Sequence, residues 1–441
     1  MRHEDTRVAL GIAGLGTVGR GVLELLLAQK EALSKKAGVA LDVVRVVDRE
    51  AEERLKGLSG LGDIEVSHDL EDLFKPDVDI VIELIGGIEA ARSLVFSAIE
   101  KKKSLVTANK ALLSSFGREI FELAQKQGVE LGLEASVGGG IPLVEVIRKN
   151  LVANKLNGLY GILNGTSNFI LEAMSQKLIP FEKALAEAKA KGYAEADPTL
   201  DISGKDTAHK LCVLLGVALD FWPGLEAVYT EGIERVTDLD IAYGAELGLT
   251  IKLLAIVKRT RQRIECRVHP VMVPERHLLA HVNGAFNALY LDLSCTGPLL
   301  FFGQGAGRYP TASAVVADIV SIAGGLARKA CALRPPGSLD GGDSLASVPM
   351  DEIESEHYLR YMVPDVPGMV GKIATALGNH GVSISQVIQK ERNEGGERVP
   401  VVLLTHKTKE RCLKAALHEI CSLERVLDEL PQVIRIERFV S

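Results

Sequence analysis

The run Val8-Ala-Leu-Gly-Ile-Ala13, followed at once by Gly14-Leu-Gly16-Thr-Val-Gly19, constrains the fold more than any other stretch of this chain. The first six residues are apolar enough for a buried strand, and Val18, Val22, Leu25 and Leu26 then recur at helical spacing. A strand, a Gly-x-Gly-x-x-Gly turn and a helix form the dinucleotide-binding fingerprint. In it Gly14 permits the tight turn, Gly16 lets the backbone approach a pyrophosphate, and Gly19 allows close packing of helix on strand. The bare glycine pattern is weak, and the two flanking elements give it weight.

The next segments extend the same domain. A second strand, residues 41–47, ends at Asp48-Arg49. An acidic residue there would hold an adenosine ribose and an adjacent arginine a 2′-phosphate, so NAD and NADP both stay open. Residues 79–85 form a buried strand, 89–101 a helix, and 104–107 a strand that runs into Ala108-Asn109-Lys110. Ligands of doubly wound sheets gather at the carboxyl ends of strands, which makes Thr107, Asn109 and Lys110 candidate contacts. A cation at a helix start opposes the helix dipole, so Lys110 has some reason beyond solvation. With a further strand at 129–134, the alternation predicts one parallel-sheet domain over residues 1–135. Glu134 stands before the loop Ala135-Ser-Val-Gly-Gly-Gly-Ile-Pro142. It suits either a hard cation shared with backbone carbonyls or the cap of a helix at 143–150.

Residues 156–163 read as a strand with one exposed face, 164–168 as a polar turn, and 169–176 and 181–191 as helices, the second stopping at Gly192. Between Gly192 and Lys210 the chain carries Glu195, Asp197, Asp201, Lys205, Asp206 and Lys210. Ser203-x-x-Asp206 ahead of an apolar run predicts a capping box at a helix start. Asp206 and Lys210 then share a face that continues through Val213, Leu214 and Val217, so Lys210 sits on a largely buried helix. Burial disfavours a charged ammonium and makes it readier to exchange a proton near neutral pH. Spacing alone supports equally a capped helix with an ion pair.

Antiparallel strands at 251–260, 263–274, 289–296 and 299–302 predict an α+β domain over 136–335, of a kind that often supplies a dimer surface. A second glycine-rich loop, with Gly305 and Gly307, precedes a small-residue helix at 311–329 expected to pack back on the first domain. That loop is either a further anion-binding helix start or a backbone-packing turn. Residues 336–353 read as a linker, and 354–441 as a βαββαβ ferredoxin-like unit. A chain of 441 residues with 47% apolar content has room for two or three cores. The net charge of −7 gives no basic footprint for nucleic acid. Apolar runs are too broken to span a bilayer, the charged N-terminus lacks a signal segment, and the six cysteines form no CxxC pair. These features suit a cytoplasmic protein with mostly core thiols.

With these residues in view, the chain resembles homoserine dehydrogenase of the monofunctional bacterial type with a C-terminal ACT domain, over nearly its whole length. The resemblance is carried by Gly192-Tyr-Ala-Glu-Ala-Asp-Pro-Thr-Leu-Asp201 with Asp206 and Lys210, by Asn164-Gly-Thr-Ser-Asn-Phe-Ile170, and by Gly303-Gln-Gly-Ala-Gly307 with Pro310-Thr-Ala-Ser-Ala314. It implies an α/β fold: a Rossmann-type dinucleotide domain, an α+β catalytic and dimerisation domain, and a ferredoxin-like ACT domain. It implies reversible NAD(P)-dependent reduction of L-aspartate 4-semialdehyde to L-homoserine, towards threonine, methionine and isoleucine. Lys210 matches the proton donor, with Asp206 and Lys110 in the catalytic set and Glu195, Asp201, Asp206 and Lys110 on the substrate. The cofactor set is Gly14, Gly16, Thr17, Val18, Gly19, Asp48, Arg49, Thr107, Lys110, Gly192, Glu195, Gly305 and Gly307. Glu134, with carbonyls of Val137, Gly139 and Ile141, matches a monovalent-cation site, usually sodium. Threonine is the expected effector near Asp365-Val-Pro-Gly368, and a homodimer or homotetramer the expected assembly.

The chemistry agrees with these roles. Hydride delivery to an aldehyde builds negative charge on oxygen, which a nearby ammonium stabilises and protonates. No cysteine has the helix-start or basic setting that a thiohemiacetal intermediate needs. Two residues depart from the pattern. Asp48 disfavours a purely NADP-dependent reading, and Lys205 stands where many relatives carry an apolar residue.

Overall fold

The computed structural model describes residues 7–328, 345–390, 398–423 and 430–439. The chain forms two compact units: Met1–Asn157, Thr207–Val228 and Phe286–Ser344 make one, and Gly158–Asp206, Tyr229–Ala285 and Leu345–Ser441 the other.

The first unit opens with β1 (Arg7–Ala13), α1 (Thr17–Ala28), α2 (Lys30–Ala37), β2 (Ala40–Val47), α3 (Ala51–Arg54), β3 (Glu65–Ser67), β4 (Ile80–Glu83), α4 (Glu89–Glu100), β5 (Ser104–Thr107), α5 (Lys110–Gln127) and β6 (Leu131–Gly132). Its six strands are parallel in the order β3-β2-β1-β4-β5-β6. This is the doubly wound dinucleotide-binding order, with its switch point between β1 and β4. Leu10, Ile12, Ile80, Ile82 and Val106 are fully buried, as strands covered on both faces require, and hence their near-continuous apolar sequence.

Further along come β7 (Leu156–Ile162), α6 (Gly165–Lys177), α7 (Phe181–Ala190), α8 (Thr199–Ile202), α9 (Lys205–Leu219), β8 (Tyr229–Thr230), α10 (Asp238–Glu246) and the hairpin β9 (Leu249–Thr260) and β10 (Arg263–Pro274). A second hairpin, β11 (Phe286–Leu293) and β12 (Gly297–Gln304), leads into α11 (Arg308–Ala327). The C-terminal part is β13 (Ala346–Ser347), β14 (Glu354–Pro364), α12 (Met369–Asn379), β15 (Ile384–Ile388), β16 (Arg398–Thr405), β17 (Thr408–Lys409), α13 (Glu410–Ser422) and β18 (Gln432–Ile436).

α11 belongs to the first unit, where Ala312, Val315, Ile319 and Ala323 share one core with Leu10, Val22 and Leu23. By length and composition it could cross a bilayer, contrary to the sequence reading, but half of it is buried inside the protein. In the second unit the strands run β7-β9-β10-β18-β14-β16-β15. The last four, with α12 and α13 over Leu359, Tyr361, Ile373, Leu403 and Ile420, make the expected βαββαβ unit. β18 also pairs in parallel with β10, at Val271↔Arg435 and Met272↔Ile436, so this module and the β9–β10 hairpin share one sheet.

Several local expectations are corrected. β7 is buried at six of its seven positions; the gaps at Gly158 and Gly161 are filled by the side chains of Tyr160 and Leu163, which leaves no exposed face. The polar run after β7 is the first turn of α6, which starts at Gly165 with Asn164 as its cap. α9 starts at Lys205, and Gly204, at φ +80°, separates it from α8. Ser203 therefore ends α8 and builds no capping box, and its Oγ is buried without a partner among the described residues. Gly381, at φ +73°, delays β15 to Ile384. Among the described cysteines, Cys212 and Cys266 are core thiols, but Cys295 and Cys421 are exposed. The linker stretch 336–344 lies outside the described residues.

Candidate active site

At the end of β1 the backbone turns through Gly14 at φ +92°, and a Cβ there would stand 2.6 Å from the Leu84 carbonyl oxygen. On Gly19 a Cβ would stand 1.9 Å from the Gly14 carbonyl oxygen. Both glycines are required by the protein's own packing. Gly16 is not: a Cβ there would meet only the Arg54 guanidinium, at 3.6 Å. Gly16 is also the N-cap of α1 and supplies no side-chain bond to its first turn, where Thr17 and Val18 lie. Open space over a helix start with uncapped N–H groups fits a pyrophosphate. Asp48, at the end of β2, accepts from Leu15 N at 2.6 Å and from Glu50 N at 2.8 Å, and pairs with Arg54 at 3.4 Å. Its neighbour Arg49 is exposed.

The carboxyl ends of β4 and β5 are tied together by Glu83, a residue the sequence reading passed over. Its carboxylate accepts from Thr107 Oγ1 at 2.5 Å, Ile85 N at 3.0 Å and Gly86 N at 3.2 Å. Burial pushes this carboxyl up, against those hydrogen bonds. Thr107 Oγ1 in turn accepts from Asn109 N, and Asn109 caps α5 by accepting from Leu112 N at 3.0 Å. The result is a fixed start for α5, whose first residue is Lys110. One turn on, Ser114 Oγ lies 2.6 Å from His209 Nδ1, and the residue after His209 is Lys210. Trp222 fills the space over Gly117 of α5 and Gly216 of α9. The first unit thus brings the helices of both lysines into contact, and Lys210 is buried at 8% exposure. A charged residue ending an apolar strand, as Glu83 does, was the available signal.

In the second unit, Asn164, Asp201 and Asp206 come together. The Asn164 amide donates to Asp201 Oδ1 at 2.7 Å and to Asp206 Oδ2 at 2.8 Å. Asp206 is buried, and α9 carries it four residues before Lys210. Glu195 and Gly192 lie on an exposed loop, and Gly192, at φ +74°, ends α7 as its glycine signal predicts. Lys205 is exposed and makes no ion pair among the described residues. Neither Glu195 nor Lys205 joins the Asn164 cluster.

Glu134 is buried and caps the following helical turn, accepting from Leu143 N at 2.5 Å, Val144 N at 2.9 Å and Glu145 N at 2.8 Å. Its own N–H donates to Asp318 Oδ2 at 2.9 Å. Burial raises both carboxyls, and Asp318 is raised further by Glu134. Gly139 and Gly305 meet backbone to backbone, and Gly305 also faces the Asn287 amide, so packing requires a glycine at 305; Gly307, at φ +131°, opens α11 without a side-chain cap. At the end of β14, residues Pro364–Val370 and Gln389 line a cavity of about 330 Å³.

The Rossmann strand order and the open glycine turn define a dinucleotide-binding protein. Models of the homoserine dehydrogenase NAD-binding domain, the homoserine dehydrogenase catalytic domain and the ACT domain match residues 14–134, 142–320 and 357–422. The chain belongs to the homoserine dehydrogenase family and is an NAD(P)-dependent oxidoreductase. It is 40% identical over 435 residues to a homoserine dehydrogenase of Pseudomonas aeruginosa, covering 98% of this chain and 99% of that one. A relative from Neisseria gonorrhoeae is 42% identical over 421 residues, with 95% and 96% covered. Among solved structures, a homoserine dehydrogenase from Thiobacillus denitrificans superimposes with TM-score 0.89 at 41% identity over 98% of both chains. A hyperthermophilic archaeal homoserine dehydrogenase in complex with NADPH gives TM-score 0.61 at 27% identity, over 71% of this chain and 97% of its own.

Proposed function

We propose that Lys210 is the proton donor in the reversible reduction of L-aspartate 4-semialdehyde to L-homoserine, with Asp201 and Asp206 receiving the substrate ammonium. The observation that carries this reading is the buried Lys210 on α9, one turn beyond an Asp206 already held by Asn164. The bound nicotinamide supplies or accepts the hydride. A buried ammonium beside the aldehyde oxygen offsets its growing negative charge and then yields a proton to it. Lys110, at the fixed start of α5, adds a second positive charge for substrate or cofactor. Glu195 and Gly192, exposed on their loop, extend the substrate and cofactor contacts when ligand is bound. Lys210→Ala tests the assignment through turnover of L-homoserine and binding of NAD(P).

The dinucleotide lies over Gly14, Gly16, Thr17, Val18 and Gly19 and reaches Thr107, Gly305 and Gly307. It is NADP or NAD: the exposed Arg49 suits a 2′-phosphate, and Asp48 a ribose hydroxyl. A steady-state comparison of the two cofactors decides. A monovalent cation, sodium by the family pattern, sits at Glu134 with the carbonyls of Val137, Gly139 and Ile141. Three N–H donors leave the Glu134 carboxylate about one free acceptor direction, and a cation there would offset two buried acids. Stabilisation by sodium chloride beyond equal potassium chloride tests it. We further assign an amino-acid effector, threonine, to the cavity at Asp365–Gly368. The apolar outer face of β12, with Leu300 and Phe302 exposed, suits pairing into a dimer or tetramer in the cytoplasm.

A further inference from the structure

We infer that Asn164 is a positioning residue of the amino-acid site: its amide holds the Asp201 and Asp206 carboxylates side by side so that one ammonium meets both. This rests on the reading above that these carboxylates bind substrate. An asparagine side chain offers two N–H donors and one carbonyl oxygen. Here one nitrogen serves both acids, at 2.7 Å and 2.8 Å, while Oδ1 accepts from Ser167 N at 2.8 Å. Asn164 is 5% exposed, as is Asp206. Two oxygens bound to a single nitrogen are close enough to repel when both carboxylates are ionised. Donation to both lowers that cost.

The scaffold around the amide is fixed from other directions. Asp201 is held through its backbone by Ser167 Oγ at 2.8 Å, and the end of α8 by Ile233 N donating to Ile202 O at 2.8 Å. Further along α6, Asn168 donates to the carbonyls of Val282 and Gly284 at 3.0 Å and 2.9 Å and accepts from the buried Lys252 at 3.1 Å. With α6 and α8 anchored in this way, the Asn164 amide sets where the two carboxylates point. A group held to a fraction of an ångström by such surroundings is what binding an ammonium with directional acceptors demands.

The competing account makes Asn164 only the cap of α6. Asparagine and aspartate are about equally good N-caps, so Asn164→Asp keeps the capping oxygen and removes both donors. It is expected to raise the KM for L-homoserine about tenfold or more, since hydrogen bonds to charged groups are lost, with kcat changed less and NAD(P) affinity unchanged. Asn164→Ser, which caps and keeps one donor, is expected to fall between the two and carries the test alone if the aspartate variant does not fold. Homoserine KM values within about twofold of the parent in the folded variants would overturn the proposal, because capping alone would leave them equal. Asp206→Asn, measured in parallel, separates the two layers. A raised KM there with an unchanged KM in the Asn164 variants defeats the positioning role alone, and an unchanged KM in all of them defeats the substrate reading as well.

Discussion

A Cβ on Gly14 would collide with the Leu84 carbonyl at a positive φ, whereas one on Gly16 would touch only a guanidinium at 3.6 Å. The two positions therefore fail in different ways. Gly14→Ala should lower the thermal midpoint, with a strain cost on the order of 1–3 kcal/mol. Gly16→Ala, at an ordinary φ of −60°, should leave that midpoint nearly unchanged and weaken NAD(P) binding. Thermal unfolding beside cofactor titration of both variants checks this, and a Gly16→Ala protein that binds NAD(P) normally contradicts it. The glycines and Lys210 were legible in the sequence because each carries a local pattern. Ser114 and His209 were not, since they lie 95 residues apart, and Glu83 showed only as a charge ending an apolar strand, its Thr107 partner lying 24 residues on.

At the scale of elements, α6 and α9 show where pattern reading stops. Ser203-x-x-Asp206 has the spacing of a capping box, yet a left-handed Gly204 breaks the chain between Ser203 and α9. Asp206 is left to accept from Asn164, which had read as part of a turn. Lys252, in the buried part of β9, is 1% exposed and donates to Asn168 Oδ1 and to the Val282 carbonyl, which anchors α6. Burial lowers its ammonium from 10.5 to about 8, opposed by the nearby Glu172. Between those values the unfolded chain binds more protons than the folded one, so this group's cost is full below about pH 8 and is relieved as pH rises towards 10.5. The relief amounts to roughly 3 kcal/mol at most. Unfolding midpoints of the parent and Lys252→Met, compared from neutral to alkaline pH, should move in favour of the parent as pH rises. A gap that is constant or moves the other way contradicts the assignment.

At the scale of the whole molecule, the C-terminal module is tied into the second unit by more than sheet pairing. Arg360 Nε on β14 donates to Asp240 Oδ1 at 2.6 Å, and Asp240 is fully buried on α10. Arg435 on β18 pairs with Glu410 at 2.7 Å and with Glu231 at 3.0 Å. Removing one member of a buried pair costs about 3–5 kcal/mol, because the other charge is left behind. Deleting Leu345–Ser441 would strip Asp240 of Arg360 and bare the edge of β10 that β18 covers. The shortened chain should aggregate or melt well below the parent in light scattering and thermal unfolding, and a monodisperse product with the parent's midpoint contradicts this. The α/β class and the βαββαβ ending were legible, because strand runs, glycine turns and element order are written locally. The assembly of each unit from segments far apart in sequence, and its buried ion pairs, follow from packing that no local pattern announces.

Catalysis by Lys210 is the claim on which the residue roles converge. Its most direct test is the initial rate of NAD(P)-linked L-homoserine oxidation by Lys210→Ala, measured beside NAD(P) affinity of the same protein. The expected result is a fall in kcat of about a hundredfold or more, the usual worth of a general acid, with cofactor affinity unchanged. An unchanged rate would contradict the account.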